Sequence, residues 1–197
     1  VGLTAMVFHH VPLGGVMGLL WLLSPLLIHW LSQPIPKTVA VREKDQAFLL
    51  HEASLIWRYF EDNLNEENHY LPPDNVQEFP VPDVAHRTSP TNIGMALLSC
   101  LSAWDLGLTE ERPALMLLSR MLDTVEELPK WRGHLYNWYD TRSAQPMEPL
   151  YVSTVDSGNL CGCLIALSEG LKEKGQPELS ARAKALADAM AFAPLYD

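Results

Sequence analysis

The chain has 197 residues, a length that one domain can account for, and a formal net charge of −10 at pH 7. Because no cluster of Lys or Arg interrupts this acidic balance, the composition argues against nucleic acid as a partner. The mean hydropathy is close to zero, which is high for a soluble domain, and the excess of apolar residues lies at the N-terminus.

The first 36 residues contain no Asp, Glu, Lys or Arg, and residues 13–31 are mostly Leu, Val, Ile, Met and Trp. This segment is long enough to cross a bilayer, and its prolines and glycines are better tolerated in a membrane helix than in a soluble one. A signal peptide is one alternative, although a basic n-region and a clear cleavage site are missing. A buried or interfacial helix is the other. We therefore predict a transmembrane helix and its flank over residues 1–36, with the lipid bilayer as a partner.

Three basic residues follow the apolar segment directly: Lys37, Arg42 and Lys44. Positive charge beside a membrane span marks its cytoplasmic side, so the residues after about 37 are predicted to be cytoplasmic. The cysteines are odd in number and lie in small-residue apolar runs: Cys100, Cys161 and Cys163. Because no CxxC pair or His spacing accompanies them, we predict reduced thiols and no metal site.

The rest of the chain is predicted to form helix pairs joined by polar loops. Apolar residues at helical spacing place five helices, at about residues 43–63, 91–106, 109–128, 157–174 and 178–190. Ser89 followed by Pro90 is a natural start for the second of these helices. Thr109 can cap the third helix, and Asp156 or Ser157 can cap the fourth.

The second and fourth helices are rich in small and apolar residues, whereas the third and fifth are more charged. An inner helix followed by an outer helix, twice, is the building plan of an α/α toroid. In that plan the polar segments before the inner helices, residues 86–92 and 154–159, lie together at one rim, where unpaired backbone N–H groups add donors. A plain helical bundle is the alternative. Residues 65–90, with five prolines, are predicted to be an extended loop without a strand pattern.

The most unusual stretch covers residues 134–159. It contains three carboxylates, one Trp, three Tyr, two Asn and several hydroxyls, but few aliphatic residues. Flat rings beside carboxylates and amides suit a sugar, because the rings cover its C–H face and the polar groups bond its hydroxyls. A well-packed loop whose Tyr and Trp are satisfied locally is the alternative.

Two segments carry a resemblance to a known family: YLPPDNVQEFPVPDVAHRTSPTNIGMALLS and RGHLYNWYDTRSAQPMEPLYVSTVDSGNL. They resemble the central region of bacterial cyclic β-1,2-glucan synthases, and the resemblance covers most of the chain after about Val39. Members of that family are large membrane proteins in which a glycosyltransferase precedes a glucoamylase-like α/α toroid and a phosphorylase-like domain. The resemblance implies an all-α fold, with the last membrane helix over residues 1–36 and the N-terminal part of the toroid over residues 37–197. It also implies a location at the bacterial inner membrane.

The chemistry implied by the resemblance is a retaining transglycosylation that closes linear β-1,2-glucan into a ring. No cofactor is implied for this region, and the remainder of the parent synthase is an implied partner. Carried over onto this chain, the positions expected to bind glucan are His86, Arg87, Thr88, Ser89, Asn92, Asn137, Trp138, Tyr139, Asp140, Asp156, Ser157 and Asn159. Asp140 and Asp156 are the weak catalytic candidates. By the family pattern the nucleophile and the acid lie beyond Asp197, so the fragment alone is expected to be inactive.

For several further side chains the sequence predicts structural or solvent-exposed positions without a direct role in binding. Asp74 and Glu148 are expected to be solvated loop charges, and His134 is expected to be a core histidine. Arg87 can pair with a carboxylate instead of touching sugar.

Two other functions stay open: a stand-alone hydrolase acting on β-1,2-glucan behind a signal anchor, and a non-catalytic glucan-binding module.

Overall fold

The structure is a computed structural model that describes residues 2–33 and 42–195, with side chains from residue 14 onward. The chain divides into two units, residues 1–43 and residues 44–197. Lys37 and the predicted boundary between residues 36 and 37 lie outside the described residues.

The first unit is built on one helix, α1 (Gly2–Leu31). At 1.5 Å per residue a helix of 30 residues is about 45 Å long, which exceeds the hydrocarbon thickness of a bilayer. Its second half, Gly14–Leu31, is apolar and none of it is buried within the structure. Trp21 and Trp30 are among its most exposed side chains. By length and composition this helix is a candidate membrane span.

The second unit contains five helices: α2 (Glu43–Asn63), α3 (Pro90–Asp105), α4 (Glu111–Glu127), α5 (Thr154–Glu173) and α6 (Pro177–Asp188). Two single-turn 3-10 helices, Glu66–Asn68 and Ala193–Leu195, lie outside these helices. The all-helical architecture agrees with the sequence-based prediction, and the bounds of α2 agree at both ends.

The loops carry short strands that the sequence did not predict. They are β1 (Val76–Gln77), β2 (Asp83–Val84), β3 (Arg87–Thr88), β4 (Lys130–Trp131), β5 (His134–Leu135), β6 (Tyr139–Asp140) and β7 (Gln145–Pro146). The strands pair antiparallel as β1–β2, β4–β5 and β3–β6–β7. In the three-stranded sheet Arg87 pairs with Asp140 and Thr88 with Tyr139. This sheet therefore fastens the long polar loop after α4 to the segment that leads into α3.

The helix starts agree with the predicted caps in one case and differ in two. Ser89 caps α3 by accepting from the Asn92 N–H at 3.2 Å, and Pro90 lies in the first turn as predicted. Thr109 does not cap α4, because that helix begins at Glu111, after Glu110, whose side chain makes no cap bond. The cap of α5 is neither Asp156 nor Ser157. It is Ser153, whose hydroxyl oxygen accepts from the Asp156 N–H at 3.2 Å.

Helices α3 and α5 pack side by side and run in the same direction. Near their starts Thr91 contacts Asp156, and further along Leu101 lies against Gly170. The separation in sequence stays nearly constant between these contacts, as two parallel helices require. Glycine permits the close approach: a Cβ on Gly94 would lie 2.9 Å from the Cβ of Cys163. The two small-residue helices thus form an adjacent parallel pair.

The more charged helices α4 and α6 are joined to this pair through short loops and a common core. Leu97, Leu118, Leu164 and other fully buried aliphatic side chains from four helices fill that core. The Arg182 guanidinium of α6 bonds two carboxylates of α4 at 2.6 and 2.8 Å. Helices α3 to α6 therefore form two helix hairpins, each an apolar helix followed by a charged one.

Candidate functional site

The parallel arrangement of α3 and α5 brings both helix N-termini to the same end of the unit. Residues from these first turns meet residues from the loops that precede them. The N-terminus of a helix offers backbone N–H donors and a partial positive charge. This end of the second unit is therefore a polar surface built by four separate segments of the chain.

Asp156, in the first turn of α5, is the centre of one half of this surface. Its Oδ1 accepts from the Thr91 hydroxyl at 2.6 Å and its Oδ2 accepts from the Ser153 hydroxyl at 2.5 Å. The Asn159 amide nitrogen in turn donates to the Thr91 hydroxyl oxygen at 3.0 Å. The carboxylate thus bridges α5 to α3. Since structural neighbours occupy both of its oxygens, Asp156 is poorly placed to act as a free nucleophile or acid.

Arg87, at the start of β3, organises the other half. Its guanidinium donates to Asp74 Oδ2 from Nη2 at 3.0 Å and from Nε at 3.3 Å. Its Cζ lies 4.7 Å from the centroid of the Trp138 ring, a cation–π distance. The other oxygen of Asp74 accepts from the Asn92 amide at 3.2 Å. Arg87 therefore joins the Pro-rich loop, the first turn of α3 and the Trp138 loop.

The Asn137 amide connects the two halves. In the orientation that satisfies its neighbours, its nitrogen donates to Asp156 Oδ2 at 3.2 Å. Its oxygen accepts from Trp138 Nε1 and from the Tyr151 hydroxyl, each at 2.7 Å. The polar contacts now run without interruption from Asn92 through Trp138 to Asp156. We call this connected set the rim network; its members are Asp74, Arg87, Thr91, Asn92, Asn137, Trp138, Tyr151, Ser153, Asp156 and Asn159.

Asp140 lies beside this network but is committed to its own turn. Its Oδ1 accepts from the backbone N–H groups of Arg142 and Ser143, at 3.0 and 2.9 Å, and from the Ser143 hydroxyl at 3.1 Å. Partial burial raises the pKa of Asp140, but the hydrogen bonds from Ser143 and Arg142 and the charge of Arg142 outweigh it and lower the pKa overall. A carboxyl group held ionised in this way is a poor proton donor.

Five of the predicted site residues are nearly inaccessible to solvent: Thr88, Ser89, Asn137, Tyr139 and Ser157. Of these, only Asn137 takes part in the rim network. Tyr139 is fully buried, donating its hydroxyl to the Pro129 carbonyl at 2.6 Å and accepting from the Tyr136 N–H at 2.9 Å. Burial raises the pKa of this phenol far above its usual range. The structure therefore assigns Tyr139 to the core and corrects its placement on a cleft.

Both histidines discussed from the sequence are engaged internally. His86 lies with Nδ1 3.1 Å from the Asn68 amide oxygen, which also accepts from the Thr141 hydroxyl at 3.1 Å. This contact lies apart from the rim network, although His86 directly precedes Arg87. His134 is fully buried, its Nε2 lies 2.8 Å from the Ala191 carbonyl, and the Phe192 ring packs against it. His134 is a core histidine, as expected.

Several members of the rim network were not expected from the sequence. Asp74 was expected to be solvated, but its side chain is 22% exposed and holds both Arg87 and Asn92. Nothing in the local sequence distinguishes Asp74, because its partners lie 13 and 18 residues further along the chain. The hydroxyl donors Thr91 and Ser153 were also missed. They lie beside cap positions that the sequence did indicate, and that signal could have found them.

A groove opens next to the network, between α2 and the start of α3. It has a volume of about 150 Å³ and is lined by Tyr59, Phe60, Pro72, Pro73, Asp74, Asn92 and Met95. The Tyr59 hydroxyl donates to the Pro73 carbonyl at 2.6 Å, which fixes the Pro-rich loop at the groove. Rings, prolines and two rim residues thus share one concave surface.

Comparison with known proteins gives a sequence relative and a set of structural neighbours. No protein family model matches the chain. The cyclic β-(1,2)-glucan synthase NdvB of Rhizobium meliloti (strain 1021) is 44% identical over 163 residues, which cover 82% of this chain and 6% of that protein. This chain is homologous to a segment of a cyclic β-(1,2)-glucan synthase. The resemblance inferred from the two sequence segments is confirmed.

The structural neighbours are proteins of the glucoamylase-like fold. A protein from Bacteroides fragilis NCTC 9343 assigned as a glucoamylase has a TM-score of 0.61 and 18% identity, with 77% of this chain and 37% of that chain covered. An endo-β-1,2-glucanase from Chitinophaga pinensis, in complex with sophorotriose and glucose, has the same TM-score and 15% identity, with 73% and 37% covered. The similarity confirms the predicted α/α toroid fold. The chain spans little more than a third of these neighbours and 6% of the synthase.

Proposed function

We propose that this chain is part of a membrane-bound synthase of cyclic β-1,2-glucan and that its rim network binds the glucan during ring closure. The observation that carries the proposal is the network itself. Six residues expected from the resemblance to bind glucan lie in one connected set of contacts: Arg87, Asn92, Asn137, Trp138, Asp156 and Asn159. A surface of amides, charged groups and an indole is chemically suited to the hydroxyls and C–H faces of glucose units. The homologous synthase and the β-1,2-glucanase fold support the choice of sugar.

In this proposal the chain positions glucan and the catalytic carboxylates are supplied from outside it. Retaining transfer needs a nucleophile and an acid about 5 Å apart, and both must be free to exchange bonds with the substrate. Asp140 and Asp156 are each held by neighbouring donors, so neither meets that need. A hydroxyl of the glucan then accepts the glycosyl group. Ring closure is favoured when the acceptor end of the same glucan molecule is held close to the reacting end.

We also propose the domain arrangement and its orientation. Residues 1–36 form a membrane anchor that includes α1, and residues 37–197 form the first part of the toroid on the cytoplasmic side of the inner membrane. The uncharged helix and the basic residues that follow it support this orientation. Reporter fusions placed after residue 60 should be active for a cytoplasmic reporter only; activity of a periplasmic reporter there would contradict the orientation.

The test of glucan binding is calorimetry on the complete protein that contains this chain. Trp138→Ala should weaken binding of linear β-1,2-glucan by about 1–3 kcal/mol, because the indole is lost and Arg87 loses its stacking partner. Met116→Ala is the matched control, since Met116 is an exposed apolar residue on α4. Unchanged affinity of the Trp138 variant would contradict the proposal. Formation of cyclic products would distinguish a synthase from a hydrolase. Glucan binding without any turnover would identify a glucan-binding module.

A further inference from the structure

The β1–β2 hairpin presents the most exposed ring of the described residues. Phe79, in its tip, is 86% exposed, the largest fraction for any large apolar side chain that the structure describes. Val81 on the same tip is 65% exposed, and Val76 at its start is also exposed. An apolar cluster of this kind, displayed to solvent instead of packed, is typical of a binding surface.

The hairpin is braced along its length. Its strands pair Val76 with Val84 and Gln77 with Asp83. The Gln77 amide nitrogen donates to the Val81 carbonyl at 2.8 Å, which ties the tip to the first strand. The exposed Phe79 ring therefore lies on a turn whose ends are joined by hydrogen bonds.

The base of the hairpin is continuous with the rim network. The Asp74 N–H donates to the Ala85 carbonyl at 3.2 Å, and the Ala85 N–H donates to the Asn75 carbonyl at 3.0 Å. Asp74 and Arg87, which flank the hairpin, close this base with their ion pair. Phe79 lies in the bend two residues beyond Gln77, where the paired part of the hairpin ends. The backbone of the hairpin is thus continuous with two members of the rim network, Asp74 and Arg87.

We propose that the hairpin tip is an additional subsite for a long glucan chain, in which Phe79 packs against the C–H face of a glucose unit. This inference rests on the proposed function and names the part of the substrate that the tip contacts. Gln77, Glu78 and Asp83 are exposed polar residues of the same hairpin, and such groups can bond sugar hydroxyls while the ring covers the apolar face. A glucan bound at the rim network would reach the tip only if it is long enough, so the subsite selects for chain length.

The experiment compares a short and a long probe on the complete protein. Phe79→Ala should lower the affinity for long linear β-1,2-glucan by about tenfold and leave the affinity for sophorotriose unchanged, because the short sugar occupies only the rim network. Phe79→Tyr, which keeps a ring, should restore most of the loss. Met116→Ala, at an equally solvent-facing position on α4, should change neither affinity.

The outcomes distinguish this inference from the proposed function. If the unaltered protein binds both probes and Phe79→Ala lowers neither affinity, or lowers both equally, the hairpin subsite is wrong while the rim network stands. If Phe79→Ala instead lowers the melting temperature without affecting either affinity, the tip packs against another part of the protein and the inference is overturned. If the unaltered protein binds neither probe, the proposed function fails, and the subsite fails with it.

Discussion

Replacing Asp156 tests whether this carboxylate supports the site or performs chemistry. Three donors converge on it: the hydroxyls of Thr91 and Ser153 at 2.6 and 2.5 Å, and the Asn137 amide at 3.2 Å. A hydrogen bond to a charged group contributes about 1.5–3 kcal/mol. Asp156 is only partly buried, so we take the lower value and let water replace one of the three. Asp156→Ala should then reduce the free energy of unfolding by about 3 kcal/mol.

Asp156→Asn should be much milder. The amide keeps the shape of the side chain, its oxygen still accepts one hydroxyl, and the hydroxyl of Thr91 or Ser153 can rotate to accept from the new NH₂ group. Only the charge is lost, so we expect a decrease of about 1 kcal/mol in the free energy of unfolding. Equilibrium urea unfolding of the complete protein, followed at the transition that includes this domain, gives both values. Asp123→Asn is the control, because Asp123 is likewise a hydrogen-bonded carboxylate, accepting from Arg182, but it lies on α4 and is not a member of the rim network.

Turnover measurements separate support from catalysis. If Asp156 only positions its neighbours, the Asn variant should keep most of its cyclisation rate and lose affinity in proportion to its lost stability. A catalytic acid or base contributes a factor of about 10²–10⁴ to the rate. A loss of that size in the Asn variant, with an unchanged free energy of unfolding, would refute the positioning role and make Asp156 a catalyst.

Three further predictions concern packing, thiols and pH. Gly94→Ala should reduce the free energy of unfolding by about 1–3 kcal/mol, because the new methyl group clashes with Cys163. Adding Cys163→Gly in a double-mutant cycle should recover part of this loss. Strictly additive effects of the two substitutions would contradict the contact. Burial raises the pKa of Cys100 to about 12, so at pH 8 a maleimide should label the less buried Cys161 first and Cys100 only in denaturant, as read by peptide mass spectrometry. The pKa of Asp140 is lowered in the folded state, so its contribution is fully present above the unfolded pKa and is lost as pH falls through the folded pKa. Asp140→Asn should therefore reduce stability at pH 7 and have no effect in strong acid; an equal effect at both would exclude this linkage.

Local signals were sufficient for most of the helical architecture. The start of α3 was predictable because Ser89 and Pro90 combine a cap with a residue that fits the first turn. The start of α5 was misplaced by three residues, since the sequence STVDS around it offers several side chains able to cap, and only the fold selects Ser153. The β3–β6 pairing could not be predicted, because Arg87 and Asp140 are far apart in the sequence. The other pairings are local, but each strand has only two residues, too few to show a strand period.

The orientation of the side chains in the polar loop becomes visible only in the structure. Burial alternates along five consecutive residues: Asn137, Tyr139 and Thr141 are buried, while Trp138 and Asp140 are half-buried between them. That is the two-residue period of a strand, in which neighbouring side chains point to opposite sides. The resemblance to the family implied the same role in binding for Trp138 and Tyr139. The strand period separates them and leaves Trp138 on the outer side, where it meets Arg87.

The rim network depends on a contact that lies below it and touches no ligand. Gly94 is one helical turn after Thr91 along α3. Its close approach to Cys163 sets the distance between α3 and α5 one turn below the rim. The bond between Thr91 and Asp156 spans the same pair of helices. If Gly94→Ala pushes the helices apart by about 1 Å, that bond lengthens beyond good hydrogen-bond distance, and the two halves of the network separate. We therefore expect Gly94→Ala to weaken binding of long β-1,2-glucan more than a surface variant of equal stability does, for example one on α6. Equal affinities in the two variants would show that the rim tolerates a change in helix spacing.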